Sequence, residues 1–301
     1  MRIAEGDLRA LARAATLIEN QSPSGRDLIA ALFSQTGRAM TIGITGPPGA
    51  GKSTLVDQLA KTLRMEGRTV GIIAVDPSSP YSHGAILGDR IRMQDHHADP
   101  GVFIRSMASR GRLGGIALGT LELTLLLDAA GRDIVIIETI GVGQDEVDIA
   151  RLADVTVLVL VPGMGDDVQA IKAGIMEIAD VFVINKADLP GADRLEQEIR
   201  VMQSFGDTND RREAAPVRRT VATEAKGADE VLKVIRAVSE KRIHRKSRVE
   251  TWAFRLREML REALLASVSQ QDIERHAGLV AEKLEDPYTA VAELRGRLSG
   301  L

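Results

Sequence analysis

The chain has 301 residues, 44% hydrophobic and 27% charged, with a net charge of −3; this suits one or two domains with a sizeable core and offers no basic field for wrapping nucleic acid. The absence of cysteine excludes disulfides, thiolate zinc sites and cysteine nucleophiles. Aromatics are 3% of the chain and the longest strongly apolar run is residues 155–161, which argues against base-stacking platforms and against a membrane span.

In chain order, residues 7–36 read as helical, because Leu8, Leu11, Ala12, Ala15, Leu17 and Ile18, then Leu28, Ala31 and Leu32, fall at helical spacing. Before them, Met1 to Asp7 lacks the apolar stretch of a secretory signal, so a cytoplasmic protein with no nucleic-acid or membrane partner is expected. Short apolar, β-branched segments follow at 41–45, 69–75, 102–105, 133–138, 155–161, 181–185 and 217–221, with helical patterns filling most of the gaps. Strand–helix alternation predicts an α/β fold, and runs without polar alternation predict a mostly parallel central sheet covered by helices on both faces. After about residue 226 only helical patterns remain, with the basic stretch Lys241 to Lys246 and then Trp252, Phe254, Leu256, Met259, Leu260 and Leu264. Asp286-Pro287 is expected to break this region before a last helix. The organisation predicted is a helical N-terminal extension over 1–38, an α/β domain over 39–226 and a helical C-terminal region over 227–301.

Gly46-Pro47-Pro48-Gly49-Ala50-Gly51-Lys52-Ser53 fits G-x-x-x-x-G-K-[ST], with Thr54 next, between a predicted strand and an amphipathic helix. Such glycines let backbone N–H groups turn inward around phosphate oxygens at a helix N-terminus. Lys52 is expected to reach the β- and γ-phosphates and Ser53 to ligate Mg²⁺. Asn185-Lys186-Ala187-Asp188 ends a later strand. A carboxylate there can accept from the ring imino N–H and the exocyclic amine of guanine, which adenine cannot offer, so the pair predicts GTP/GDP over ATP. Lys186 would pack over the base and Asn185 would tie this loop to the phosphate loop. Val221-Ala222-Thr223 ends the next strand, where backbone N–H groups would meet the guanine carbonyl. Glu138-Thr139-Ile140-Gly141 ends the strand over 133–138: Glu138 can hold Mg²⁺ and the Gly141 N–H can contact the γ-phosphate. Asp76 ends the second strand and belongs at the same crevice, whereas Asp89, taken alone, reads equally well as a solvated helix charge.

The order of these motifs is what resembles a known family. Gly46 to Thr54, Val75-Asp76-Pro77-Ser78-Ser79-Pro80, Gly84 to Met93, Leu113-Gly114-Gly115, Glu138 to Gln144, Pro162 to Lys172, Asn185 to Asp188 and Asp286-Pro287-Tyr288 look like the MeaB/ArgK GTPases associated with methylmalonyl-CoA mutase. The resemblance implies a SIMIBI-class domain with Glu where other GTPases carry the Mg²⁺-loop Asp. It implies a homodimer formed through the C-terminal helices, and slow hydrolysis that accelerates on docking to an adenosylcobalamin-dependent acyl-CoA mutase whose cofactor loading it gates. By carry-over it assigns Lys52, Asp76, Asp89 and Glu138 to catalysis, and Ser53, Asp76, Asp89 and Glu138 to the metal. Residues 162–172 become the segment that couples nucleotide state to the partner. His83 departs from the small residue expected at its position.

Other features invite weaker readings. His96-His97 beside Asp95 and Asp99 suggests a metal pair, but neighbouring helix residues point about 100° apart, so a solvated helix end is expected. Residues 241–248 read as an exposed basic helix face. Gln144 fits a water-orienting residue or a helix start equally, and Arg105, Arg110 and Arg112 are arginine-finger candidates. A nickel metallochaperone of the same class is argued against by the missing cysteines; a P-loop kinase and a GTPase with a non-cobalamin client are the rival functions.

Overall fold

A computed structural model of the chain describes residues 3, 6–76, 96, 98–108, 115–139, 152–163, 178–204, 214–243 and 248–298, with the side chain of Asp76 outside that description. Among them, in chain order, are α1 (Leu8–Glu19), α2 (Pro23–Leu32), β1 (Met40–Thr45), α3 (Lys52–Met65), β2 (Val70–Asp76), β3 (Val102–Ala108) and α4 (Gly115–Ala129). There follow β4 (Ile134–Thr139), β5 (Val155–Leu160), β6 (Val181–Ile184), α5 (Ala192–Ser204), β7 (Val217–Arg219), α6 (Ala228–Ile243), α7 (Arg248–Ala266), α8 (Gln270–Ala281) and α9 (Pro287–Leu298).

The seven strands form one sheet in the order β3-β2-β4-β1-β5-β6-β7, and every neighbouring pair is parallel. Strands β4, β5 and β6 are buried along their whole length, which is why their sequences lack polar alternation. On one face, Leu55, Val56, Leu59 and Leu63 of α3 and Val231, Leu232 and Ile235 of α6 pack over Ile42, Ile44, Ile136 and Val157. On the other, Leu195 and Ile199 of α5 cover Leu158, Leu160, Phe182 and Ile184. Helix α4 lies on that second face against β2 and β4; a Cβ on Gly71 would fall 2.8 Å from Leu127 Cδ1, so the helix sits directly on the strand. Its sequence, Gly115 to Ala129, is apolar nearly all round because α1 and α2 pack on its outer side. The N-terminal helices therefore cover the core, α1 burying Leu11, Ala14, Ala15 and Ile18. Asp7 starts α1 by accepting from Arg9 N and Ala10 N.

The chain divides into two compact units, Met1–Ser247 and Arg248–Leu301. Helix α6 belongs to the first by its packing on α3 and the sheet. In the second, His276 of α8 is buried, with Arg275 Nη2 3.0 Å from its Nε2 and Glu285 Oε2 2.7 Å from its Nδ1. A guanidinium only donates, so Nδ1 carries the ring proton and donates to Glu285. Asp286 Oδ1 accepts from Tyr288 N and Thr289 N and so starts α9 at Pro287, the break the sequence predicts. Among the described residues no helix is long and apolar enough to cross a membrane.

At the opposite end of α3 from its first turn, Arg64 makes a bidentate pair with Asp99, Nε to Oδ2 at 2.8 Å and Nη2 to Oδ1 at 3.0 Å. Gly101 N donates to the same carboxylate at 2.8 Å. The Arg64 guanidinium holds the Asp99 carboxyl below its ordinary pKa. A depressed carboxylate contributes stability that is present above the unfolded value near pH 4 and is lost as pH falls through the folded value. Asp99→Asn is therefore expected to be less stable than the native chain at pH 7, with the gap closing as pH falls below about 4. Denaturant melts across that range check it, and a gap that stays constant down to pH 2 counts against the assignment.

Candidate functional site

Parallel pairing brings the C-terminal ends of all seven strands to one rim, and in such sheets the ligand crevice lies where the strand order reverses. Here that point is β1, flanked by β4 and β5. The loop after β1, Gly46 to Gly51, reaches α3 through positive φ at Gly46 (140°), Gly49 (77°) and Gly51 (84°). A Cβ at Gly46 would collide with the Val159 carbonyl oxygen, and one at Gly51 with the Asn185 side-chain amide. Both glycines are thus dictated by close approach as well as by φ. Pro48 and Gly49 are exposed at the tip, Ala50 is buried beneath, and Thr54 is half-buried in the first turn of α3. The first amides of α3 have no acceptor within the helix and sit at the positive end of its dipole, which favours an anion.

Lys52 is buried and its Nζ donates to Gly46 O at 2.7 Å and Pro47 O at 2.9 Å, so the ammonium lies over the loop. Ser53 Oγ donates to Glu138 Oε1 at 2.6 Å, both side chains being buried. This brings a residue from the first turn of α3 to the end of β4, 85 positions away. Beside it, Thr139 Oγ1 donates to Thr45 Oγ1 at 3.0 Å and closes the ends of β4 and β1 together. Asp76 ends β2 one residue beyond Val75, which is level with Thr139 in the ladder.

Asn185 joins three segments. Its Nδ2 donates to Ala50 O at 2.9 Å, and its Oδ1 accepts from Thr220 Oγ1 at 3.0 Å and from Ala222 N at 3.1 Å. Lys186 adopts a left-handed conformation (φ 53°) and its Nζ donates to Gly49 O at 3.0 Å, laying its stem toward the phosphate loop. Asp188 is exposed on the turn that follows. After β7, Val221 forms an isolated bridge with Lys226, Ala222 is buried and Thr223 is exposed. Lys52, Ser53 and Glu138 therefore meet at one end of the rim, and Asn185, Lys186 and Ala222 at the other, joined through the loop. Asp89, Gly141, His83, Gln144 and residues 164–172 lie outside the described residues, as do Arg110 and Arg112.

Two readings change. His96 is not a solvated helix end: it is buried, with Nε2 3.0 Å from Asp57 Oδ1 of α3. Arg105, an arginine-finger candidate, is engaged by Glu19 and by Thr16 Oγ1 of α1. Sequence reading missed Thr45, Thr139 and Thr220. Their signal was present as hydroxyls at the C-terminal ends of otherwise apolar strands, where the crevice of a parallel sheet lies.

Residues 11–273 match the family model described as "Methylmalonyl Co-A mutase-associated GTPase MeaB". The chain belongs to this family. A GTPase-family relative from Pyrococcus abyssi is 48% identical over 300 residues, covering 96% of this chain and 92% of its own length. The GTPase ArgK of Escherichia coli is 46% identical over 191 residues, 62% of this chain and 58% of ArgK. A crystal structure of a LAO/AO transport system kinase superposes with a TM-score of 0.72 at 28% identity, over 99% of this chain and 95% of the other. This MeaB/ArgK-family chain is a P-loop GTP hydrolase that binds guanine nucleotide.

Proposed function

We propose that the chain is a Mg²⁺-dependent GTPase acting as a chaperone of an adenosylcobalamin-dependent acyl-CoA mutase, gating cofactor loading and protecting the mutase. Methylmalonyl-CoA mutase or a relative of it is the client. The observation that carries this reading is the match of residues 11–273 to a family named for its association with that mutase. In it, Gly46, Pro47, Pro48, Gly49, Ala50, Gly51 and Thr54 cradle the phosphates with Lys52. Gly141 meets the γ-phosphate, and Asn185, Lys186, Asp188, Val221, Ala222 and Thr223 hold the base.

The donor set suits Mg²⁺: a serine hydroxyl and a carboxylate oxygen 2.6 Å apart in a buried corner are hard ligands at hydrogen-bond separation. Ser53, Glu138, Asp76 and Asp89 would hold the ion, and Mg²⁺ when bound supplies positive charge to the β- and γ-phosphate oxygens. From the other side Lys52 and the loop amides do the same. A homodimer through residues 227–301 is supported by Leu256, Leu260 and Leu264 of α7, which fall on one helix face and are 58%, 60% and 46% exposed. Residues 39–226 then form the GTPase domain, 1–38 its helical extension, and the protein works in the cytoplasm.

The test is phosphate release from GTP and from ATP, alone and with adenosylcobalamin-dependent mutases added singly. Turnover of GTP only, rising with one mutase, is the expected result. GTP turnover indifferent to every mutase overturns the client and points to a non-cobalamin partner, whereas equal turnover of ATP overturns the base assignment.

A further inference from the structure

The hydrogen bond between Thr139 and Thr45 lies where the crevice opens, and neither residue has a part in the function just described. Both side chains are buried, Thr45 1% and Thr139 2% exposed, and Thr139 Oγ1 donates to Thr45 Oγ1 at 3.0 Å. The backbone register of β1 with β4 runs as far as Ile44 opposite Glu138, so this bond joins the two strands one residue further on. Side chains alternate across a sheet. Ile42, Ile44, Ile134 and Ile136 face α3 and α6, which puts Glu138 on that side, where it meets Ser53 at 2.6 Å. Thr45 and Thr139 point to the opposite face. Thr45 is the last residue before Gly46, whose carbonyl accepts from Lys52 Nζ at 2.7 Å, and Thr139 is the first after Glu138. The pair thus sits back to back with Ser53 and Glu138, joining the strand that carries the phosphate loop to the strand that carries Glu138.

Valine would fill the same space with no polar atom, and the four residues of β4 from Ile134 to Ile137 are all apolar and β-branched. A buried hydroxyl costs free energy unless it is bonded, and replacing both partners of a buried hydrogen bond by apolar groups of the same shape is close to neutral. Stability alone therefore does not call for two threonines. What their bond supplies is a fixed separation and direction between the strand ends. On its outer side each residue is already in a ladder, Thr45 level with Leu158 of β5 and Thr139 level with Val75 of β2. The hydroxyl bond completes that row across the junction of β1 and β4. Glu138 and the phosphate loop are held to each other through this junction, and misplacement of a reacting group by about 1 Å costs up to about 10²-fold in rate.

We propose that Thr139 and Thr45 are positioning residues for GTP hydrolysis, holding Glu138 in line with the phosphate loop and Ser53, a reading that rests on the assignment of Ser53 and Glu138 to the metal. The experiment measures kcat, KM for GTP, the Mg²⁺ concentration giving half-maximal rate, and Tm. It does so for Thr139→Val, Thr139→Ser, Thr45→Val, the Thr45→Val/Thr139→Val double variant, Thr156→Val and Ser53→Ala. Thr156, near the start of β5, is 1% exposed and its hydroxyl makes no hydrogen bond among the described residues, so Thr156→Val controls for exchanging a buried threonine of the same sheet. The expected result is that Thr139→Val lowers kcat about tenfold and raises the Mg²⁺ requirement, while KM changes less than about twofold. Thr139→Ser, which keeps the hydroxyl, recovers most of the rate. The double variant is no worse than the poorer single, since both act through one contact, and Thr156→Val keeps the native kcat and Mg²⁺ requirement. Thr139→Val behaving like Thr156→Val in kcat and Mg²⁺ requirement, whatever its Tm, overturns the proposal, as does Thr139→Ser losing as much rate as Thr139→Val. Thr45→Val decides the matter in the same way where Thr139→Val does not fold. Ser53→Ala with a native Mg²⁺ requirement overturns the metal assignment instead, and the two failures are told apart by which variant is silent.

Discussion

Replacing Lys52 with alanine is expected to lower GTP turnover by at least about a thousandfold. The side chain is buried at the N-terminus of α3, with its ammonium held by the carbonyl oxygens of Gly46 and Pro47 at 2.7 and 2.9 Å. Those carbonyls belong to the loop whose amides would face the phosphates, so the charge is in place before substrate arrives and would cost little to reorganise during reaction. Phosphoryl transfer needs little covalent help from the protein; its barrier falls through positioning and through charge opposed to the phosphoryl oxygens. Lys52→Arg is expected to fail as well, because the planar guanidinium cannot fit a corner built for a compact ammonium. Single-turnover phosphate release with saturating GTP separates lost chemistry from lost binding, and a Tm within a few degrees of native shows that the loop still forms. Native turnover in Lys52→Ala would remove this loop from the active site altogether.

What was legible in the sequence follows from how each feature is made. The strands were visible because both faces of the sheet are covered, so 155–161 and 133–138 read as unbroken apolar runs. Two strand ends were less so. Strand β3 continues from Arg105 to Ala108 because β2 offers ladder partners as far as Asp76, and nothing local in Ser106-Met107-Ala108 signals that. Strand β7 stops at Arg219, short of the predicted 221, because Thr220 turns its hydroxyl to Asn185 and Val221 bridges to Lys226.

The site divides in the same way. Gly46 to Ser53 is contiguous, and its spacing encodes the turn, so the phosphate loop could be read directly. The contacts around it join residues remote in sequence: Ser53 with Glu138, Asn185 with Ala50 and Ala222, Asp57 with His96. Sequence order suggested the first two, because each partner ends a strand in a parallel sheet. It gave no hint of the third. Asp57 reads as one polar residue in an amphipathic helix, and the chain that returns His96 to it passes through a connection with no periodic pattern to follow.

Asp188→Ala is expected to reduce kcat/KM for GTP by about 10²- to 10⁴-fold while leaving the slow turnover of ATP unchanged, so that the two nucleotides become nearly equivalent. The carboxylate is exposed on its turn, but the backbone on either side is fixed: Ala187 N donates to Thr220 O and Leu189 N to Lys186 O, each at 3.0 Å. Behind it, Asn185 ties the turn to the phosphate loop and to Ala222. A fixed carboxylate can accept two hydrogen bonds from guanine, whereas adenine presents an acceptor at the imino position and leaves it desolvated and unpaired. Inosine triphosphate keeps the imino N–H and lacks the amine, so the native chain should rank the three GTP, then ITP, then ATP. In Asp188→Ala that ranking should collapse, with GTP and ITP falling toward ATP. Retained preference for GTP in the variant would mean that the base is read mainly through its carbonyl by the backbone at Ala222 and Thr223, a contact that GTP and ITP share. The GTP-to-ITP ratio distinguishes the two, because only a carboxylate partner makes the exocyclic amine matter.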